Sequence, residues 1–193
     1  MSDTKVMNPT GHLQIFKLYE DGREELYFDD QNVITSGMGV GFSHLFSASG
    51  ASSIVDYQII NFLVGSGGNY DDYGVSTYKL ELPVQEADHW GSDSQIITET
   101  LTPIESGVLA GATYPFARIR FSNVHKVTNT SVRYTLVIDR STLNTKYINE
   151  IGLYMRNPRG LSTPSPILVA YRPFTTITKT SDFSLIFRWT LQF

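Results

Sequence analysis

The carboxyl-terminal segment from residue 183 to residue 193 alternates so strictly that it predicts a strand. Its odd positions are all large and apolar, and its even positions are polar except Ile186. Because neighbouring side chains on a strand point to opposite faces, the pattern predicts one buried face and one mostly solvated face. Each buried side chain would stabilise the fold by about 1.5–3 kcal/mol before entropy is subtracted, so we expect truncation to be severe. The six apolar positions are Phe183, Leu185, Phe187, Trp189, Leu191 and Phe193.

Two further apolar runs lie upstream of this strand, at residues 147–155 and 167–171. Both are bounded by proline and glycine, which interrupt regular structure and mark turns. Three consecutive strands separated by such turns predict an antiparallel sheet without crossover helices. The turn residues are Asn157-Pro158-Arg159-Gly160, Pro164, Pro166 and Pro173.

The first part of the chain predicts a hairpin followed by one helix. Asp21-Gly22 suits the positive φ angles of a tight turn, with residues 23–28 as the return strand. Residues 36–48 place apolar side chains, among them Leu45 and Phe46, at roughly helical spacing. Ser36 can cap the start of this helix. Its three glycines weaken it by about 1 kcal/mol each, which is tolerated where a helix packs closely on a sheet. They are Gly37, Gly39 and Gly41.

The middle of the chain predicts one central strand and a second hairpin. Residues 54–64 are apolar at both odd and even positions, which is typical of a strand covered on both faces. Residues 116–121 and 132–138 predict the two arms of the hairpin, and residues 128–130 supply its turn. The inward side chains of the second arm would be Val132, Tyr134, Leu136 and Ile138.

These elements predict a mainly β protein, an antiparallel β-sandwich of the jelly-roll kind with one short helix near residues 36–48. We expect an N-terminal arm at residues 1–11 and a single sandwich domain at residues 12–193. A protruding loop or hairpin region is expected at about residues 66–112, where polarity rises and periodicity is mostly lost. Such long excursions usually mark a function or a contact.

Composition excludes several classes of partner. The net charge of −4 and the pI near 5.5 give no basic excess for phosphate, so nucleic acid is not an expected partner. The chain has no cysteine, which excludes disulfides and thiolate metal sites and fits a reducing cytosol. The polar start of the chain and the lack of a long apolar run predict neither a signal peptide nor a membrane span.

Motifs for catalysis and cofactor binding are incomplete. In Gly37-Met38-Gly39-Val40-Gly41 the next glycine of the dinucleotide pattern would fall on Phe42. Gly65-Ser66-Gly67-Gly68 lacks the following Lys-Ser/Thr of a phosphate loop. No histidine has a second ligand at metal spacing, and G-x-S-x-G is absent. We therefore predict no catalytic residue, no cofactor and no metal, although a pair of carboxylates brought together in space stays open.

Five aromatic residues lie in or near predicted loops. Tyrosine and tryptophan anchor protein interfaces, and they also stack on sugars. Three interpretations stay open: packing on the domain's own core, contact with carbohydrate, and contact with protein, which we favour. The candidate interface residues are Tyr70, Tyr73, Tyr78, Trp90 and Tyr114.

Two parts of the chain resemble virion structural proteins of tailed bacteriophages. Ile148-Asn149-Glu150-Ile151-Gly152-Leu153, followed by the segments 167–171 and 177–183, is similar to the C-terminal half of small β-rich proteins of tails, baseplates, collars and fibre attachments. Asn32-Val33-Ile34-Thr35-Ser36-Gly37, followed by a helical segment and residues 60–68, resembles the "NLVT, glycine, short helix, GxG" opening of the same group.

The resemblance implies a non-enzymatic structural component that assembles in multiple copies in the tail, baseplate or neck of the particle. It would be made in the cytoplasm of the host bacterium and reside in the virion. Its partners would be other copies of itself and neighbouring virion proteins. The alternatives are a capsid decoration or cement protein, a receptor-binding module for host-surface glycan, and a cell-wall or polysaccharide hydrolase.

Overall fold

The computed structural model describes residues 9–47, 53–65, 69–72, 75–78, 117–118, 121–156 and 167–193. These residues form one α-helix, eleven strands and two short 3₁₀ turns, at Ile54–Tyr57 and Phe121–Asn123. In chain order the helix and strands are β1 (Thr10–Tyr19), β2 (Glu24–Ile34), α1 (Ser36–Ser47), β3 (Ile59–Gly65), β4 (Asn69–Asp72), β5 (Val75–Tyr78), β6 (Ala117–Arg118), β7 (Val124–Thr128), β8 (Ser131–Ile138), β9 (Tyr147–Met155), β10 (Ile167–Thr178) and β11 (Phe183–Gln192).

Nine of these strands form one sheet, while β4 and β5 pair with each other as a separate hairpin. The strand order in the sheet is β6-β3-β9-β10-β2-β1-β11-β8-β7, and every pairing is antiparallel. Side chains from strands near both ends of this order meet in one apolar core, so the sheet curls into a half-barrel. The predicted mainly β, antiparallel fold with one helix is confirmed.

Strand β2 joins two halves of the sheet. Its residues 24–32 pair with β1, whereas Val33 and Ile34 pair with β10. Thr35 extends the junction, because its amide donates to the Val169 carbonyl at 3.1 Å and its hydroxyl to the Leu168 carbonyl at 2.5 Å. We call the strands β2-β1-β11-β8-β7 the alternating half and the strands β2-β10-β9-β3-β6 the doubly buried half.

The alternating half is organised around β11, which lies between β1 and β8. Its odd positions from 183 to 191 are buried, as the sequence predicts, and Ile186 is buried as well. The Trp189 indole is completely buried, and its N–H donates to Asn32 Oδ1 at 2.8 Å. A Cβ on Gly11 would lie 1.8 Å from that oxygen, so only glycine leaves room for the Asn32 side chain.

The predicted hairpin between β1 and β2 is confirmed. Gly22 has a φ of +83°, a conformation that side chains with a Cβ rarely adopt. Its amide donates to the Tyr19 carbonyl at 3.1 Å, and the Tyr19 amide donates to the Arg23 carbonyl at 3.0 Å. These bonds close the turn and set the register of the two strands.

The doubly buried half packs on both of its faces. Strand β9 is buried at every position from Ile148 to Met155, and β3 is buried at all but one position. The prediction of a central strand covered on both faces is thus confirmed for β3. One face joins the main core. The opposite face holds a second apolar cluster of Leu63, Tyr154, Leu168 and Tyr171.

The strand predicted over residues 54–64 begins only at Ile59. Residues 54–57 form a 3₁₀ turn instead, because the side chain of Asp56 accepts a hydrogen bond from a nearby backbone amide. The Ser53 amide donates to the Asp56 carboxylate at 3.2 Å, and the Asp56 amide donates to the Ser53 carbonyl at 3.0 Å.

The predicted pairing of residues 116–121 with residues 132–138 is wrong. Strand β8 pairs with β7, and the short β6 pairs with β3 on the other side of the sheet. The sequence of β7 is Val-His-Lys-Val-Thr, and it lies at an edge with four of its five residues exposed, so it lacks the apolar alternation of a core strand. The turn at residues 128–130 and the burial of Tyr134, Leu136 and Ile138 are confirmed.

The last three strands are antiparallel as predicted, but two details differ. Strand β10 does not stop before Pro173 and continues to Thr178. The proline is accommodated because the register with β9 shifts between Pro173 and Ile177, so the missing amide falls at an irregular position. Strands β10 and β11 are also not neighbours, since β2 and β1 lie between them.

Candidate functional site

Helix α1 packs against the sheet at the end of β9. Met38 is buried in the main core. A Cβ on Gly41 would lie 2.6 Å from the sulfur and terminal methyl of Met155, so this glycine permits the close approach. The expectation that helix glycines serve packing is confirmed at Gly41, whereas Gly39 faces open space.

A pocket of about 310 Å³ lies between α1 and the two ends of the curled sheet. Met38 and Phe42 line it from the helix. Val132 and Tyr134 of β8 line it from one end of the sheet, and Met155 of β9 from the doubly buried half. None of its lining residues in the described part of the chain is charged.

Hydrogen bonds and ring packing hold the walls of this pocket. The Tyr57 hydroxyl donates to the His44 carbonyl at 3.3 Å, which ties the 3₁₀ turn to α1. The Phe193 amide donates to the Thr130 carbonyl at 2.8 Å. The Phe193 ring then meets Phe42 edge-on, with ring centroids 6.0 Å apart. The pocket is therefore bounded by elements from five separate parts of the sequence.

Tyr134 brings a polar group into the pocket lining. The residue is 6% exposed, and burial raises the pKa of its hydroxyl to about 12. Among the described residues its hydroxyl has no hydrogen-bond partner. The hydroxyl is not among the fully buried polar atoms of the described residues that lack a partner, so it keeps some accessible surface and is open to a bound molecule.

Large apolar side chains are exposed beside the pocket. Phe46 is 84% exposed, one helical turn after Phe42, and the two ring centroids are 6.2 Å apart. Leu45 and Ile54 are exposed as well, and Ile54 begins the 3₁₀ turn that Tyr57 ties to α1. We call Leu45, Phe46 and Ile54 the rim patch. Exposed apolar side chains at the end of a helix and in the turn tied to it favour an interaction site.

The structure corrects one part of the helix interpretation. The sequence pattern grouped Leu45 and Phe46 with the apolar positions of α1, but both are exposed. Helical spacing identifies a shared face without showing that the face is covered. The sequence feature that could have indicated this exposed surface is the pair of apolar residues at the end of a glycine-rich helix.

A buried lysine holds the loop between β8 and β9. The Lys179 ammonium donates to the Thr180 carbonyl at 2.6 Å, the Asn144 side-chain oxygen at 3.2 Å and the Arg140 carbonyl at 3.3 Å. Burial lowers the pKa of Lys179, and the nearby carboxylates of Asp139 and Asp182 oppose this effect. Because its ammonium bonds to two oxygens of the β8–β9 loop and to the carbonyl of Thr180 after β10, Lys179 ties the two loops together and has a structural role.

A buried carboxylate lies on the second face of the doubly buried half. Glu150 is completely buried, and the Tyr171 hydroxyl donates to it at 3.1 Å. This hydrogen bond offsets part of the cost of removing a polar group from water. The contact links β9 to β10 across the sheet.

The structure places only part of the predicted interface. Tyr70 lies in β4 and Tyr78 in β5, the two strands of the separate hairpin. Tyr73, Trp90 and Tyr114 lie outside the described residues. The assignment of these five residues to an interface therefore stays a prediction.

Two searches of the described residues are negative. They contain no group of three or more histidine, cysteine, aspartate or glutamate residues that could hold a metal ion. They also contain no helix with the length and hydropathy needed to cross a membrane.

Comparison of the chain with protein-family models, with curated proteins and with solved structures finds no match in any of the three.

Proposed function

We propose that this protein is a non-enzymatic structural component of a tailed-bacteriophage particle, present in multiple copies in the tail, baseplate or neck. The proposal rests on the resemblance of two parts of the chain to such proteins and on one structural observation, the rim patch. An assembly protein needs a surface that gains free energy when another subunit covers it. The jelly-roll arrangement expected from the sequence belongs to this proposal too.

The rim patch has the composition of an interface centre. The exposed fractions of Phe46 and Ile54 are 84% and 66%, so most of their apolar area meets water in the isolated chain. Aromatic residues at the centre of an interface contribute most of its binding energy. Covering one such ring removes about 150–250 Å² from water at roughly 25 cal/mol per Å².

Contacts with the rest of the fold hold the elements that carry the rim patch. Phe46 follows Phe42, which packs on Phe193 and lines the pocket, and Tyr57 holds the adjacent turn to α1. A side chain on a held element loses little conformational freedom when a partner binds it. The partners we propose are other copies of the chain and neighbouring virion proteins, in contact with the rim patch.

The first experiment measures the mass of the purified protein in solution and locates it in intact particles with a labelled antibody. We expect an oligomer at high protein concentration and labelling of the tail, baseplate or neck. Labelling at hundreds of sites over the capsid would instead indicate a decoration protein. Absence of the protein from purified particles would overturn the phage proposal.

A matched pair of variants tests the rim patch. Phe46→Ser should shift the equilibrium toward the monomer, because it removes the most exposed ring of the patch. Leu26→Ser is the control, since Leu26 is 51% exposed on β2, outside the rim patch. Equal assembly of the two variants would exclude the patch as the contact. Binding of host glycan by the wild type would favour the receptor-binding alternative.

A further inference from the structure

We infer that the pocket between α1 and the ends of the sheet binds a small, neutral, mainly apolar molecule that carries one hydrogen-bond acceptor. This binding site goes beyond the proposed function, because assembly through the rim patch does not require the pocket to be filled. The chemical class we expect is an aromatic or short aliphatic ketone, ester or amide.

The size of the pocket sets the size of the ligand. Small-molecule sites in proteins typically enclose about 300–1,000 Å³, and this pocket encloses about 310 Å³. It therefore suits a molecule with one ring or a short chain. Larger cofactors such as dinucleotides are too big for it.

The lining sets the polarity of the ligand. Apolar side chains such as Phe42 and Val132 dominate it, and the described lining residues carry no charge, so an ionised ligand would lose its hydration without compensation. Met38 and Met155 add flexible thioethers that adapt to an irregular apolar shape. The walls thus favour burial of a neutral apolar body.

Tyr134 sets the position of the acceptor. Tyr134 is 6% exposed and lines the pocket, and its hydroxyl has no hydrogen-bond partner among the described residues. A phenolic O–H in this position can donate to a carbonyl oxygen of the ligand. A ligand without an acceptor would leave the hydroxyl unsatisfied, which lowers its affinity.

The methionines make binding visible at the site. The chain has four methionines, and two of them, Met38 and Met155, line the pocket. The test records NMR spectra of full-length protein with ¹³C-labelled methionine methyl groups during titration with acetophenone. We expect saturable shifts of the Met38 and Met155 signals. Signals are assigned with single Met→Leu variants.

Ethylbenzene is the matched probe, because it keeps the ring and lacks the carbonyl. We expect it to bind about fivefold more weakly than acetophenone to the wild-type protein, the equivalent of one lost hydrogen bond. In Tyr134→Phe, which keeps the ring and the fold, the two probes should bind equally. The dispersion of the methionine signals checks that this variant is folded.

Two outcomes would overturn the inference. They are no saturable shift of Met38 and Met155, and a preference for acetophenone that survives Tyr134→Phe. The Phe46→Ser variant keeps the two proposals distinct. It should retain acetophenone binding while it loses assembly, so failure of either proposal can be recognised separately.

Discussion

The two halves of the sheet use similar apolar residues but bury them differently. In β11, between β1 and β8, most of the core-facing positions alternate with half-buried ones. In β9, between β3 and β10, every position from Ile148 to Met155 is buried. The pairing of β1 with β11 is regular over its whole length, whereas that of β9 with β10 shifts register twice. A strand buried on one face alternates apolar and polar residues in the sequence, whereas a strand buried on both faces does not.

The largest expected effect is in the core of the alternating half. Trp189→Ala should lower the free energy of unfolding by about 3–5 kcal/mol, because it leaves a cavity and removes the bond to Asn32. Thr190→Ala, on the opposite face of the same strand, should change it by less than about 0.5 kcal/mol. Urea unfolding followed by fluorescence or circular dichroism measures both. Similar losses in the two variants would contradict the alternation described for β11.

A leucine pair compares the two halves with the same chemical change. Leu168→Ala, on the second face of β10, should cost about 2–5 kcal/mol, since the side chain is completely buried. Leu26→Ala, on β2, should cost less than about 1 kcal/mol, because that side chain is 51% exposed. Chemical denaturation of both variants measures the two losses in the free energy of unfolding. If Leu168→Ala is as mild as Leu26→Ala, the second face is not a packed core.

Alkaline pH tests the burial of Tyr134. Its pKa is raised from 10.0 to about 12, so the folded state keeps a proton that the unfolded state loses. The stabilisation is present below pH 10 and decreases by about 1.4 kcal/mol for each pH unit up to pH 12. The free energy of unfolding of Tyr134→Phe should therefore decrease less steeply with rising pH than that of the wild type. Parallel pH profiles over this interval would show that the hydroxyl is solvated.

Two glycines provide the smallest and most specific comparison. Gly22→Ala should destabilise the protein by about 1 kcal/mol, because the turn holds this residue at a positive φ. Gly39→Ala should stabilise it by about 0.5–1 kcal/mol, since Gly39 is in α1 and a Cβ there meets open space. Thermal unfolding of the two variants should show shifts of opposite sign. Shifts of the same sign would contradict the backbone assignment at one of the two positions.

The sequence predicted the elements of the fold better than their arrangement. The hairpin at Gly22, the helix at residues 36–47 and the strand at residues 183–192 each carry a local pattern. The neighbours of β11 could not be predicted, because its pairing with β1 joins residues as distant as Thr10 and Gln192. The edge strand β7 is polar and exposed, and it gave no signal at all.

The candidate site was less predictable than the fold. The pocket joins residues as distant as Met38 and Phe193, and its existence depends on how the sheet curls. Tyr134 was predicted to be inward, which the structure confirms, but nothing local indicates that it lines a pocket. Phe46 fits a helical pattern whether it is covered or exposed, so its exposure required the structure.

The junction at Val33, Ile34 and Thr35 has a consequence for how the chain opens. Backbone pairing connects β2 to β10 at two residue pairs and through Thr35, and the rest of β2 pairs with β1. Side chains of β2 add bonds to β10, from Tyr27 to the Thr176 carbonyl and between Asp30 and Arg172. Amide protons on the three junction residues would therefore report in hydrogen exchange on the separation of the two halves. Separation of the two halves would break this short run of backbone bonds together with the side-chain bonds of Tyr27 and Asp30.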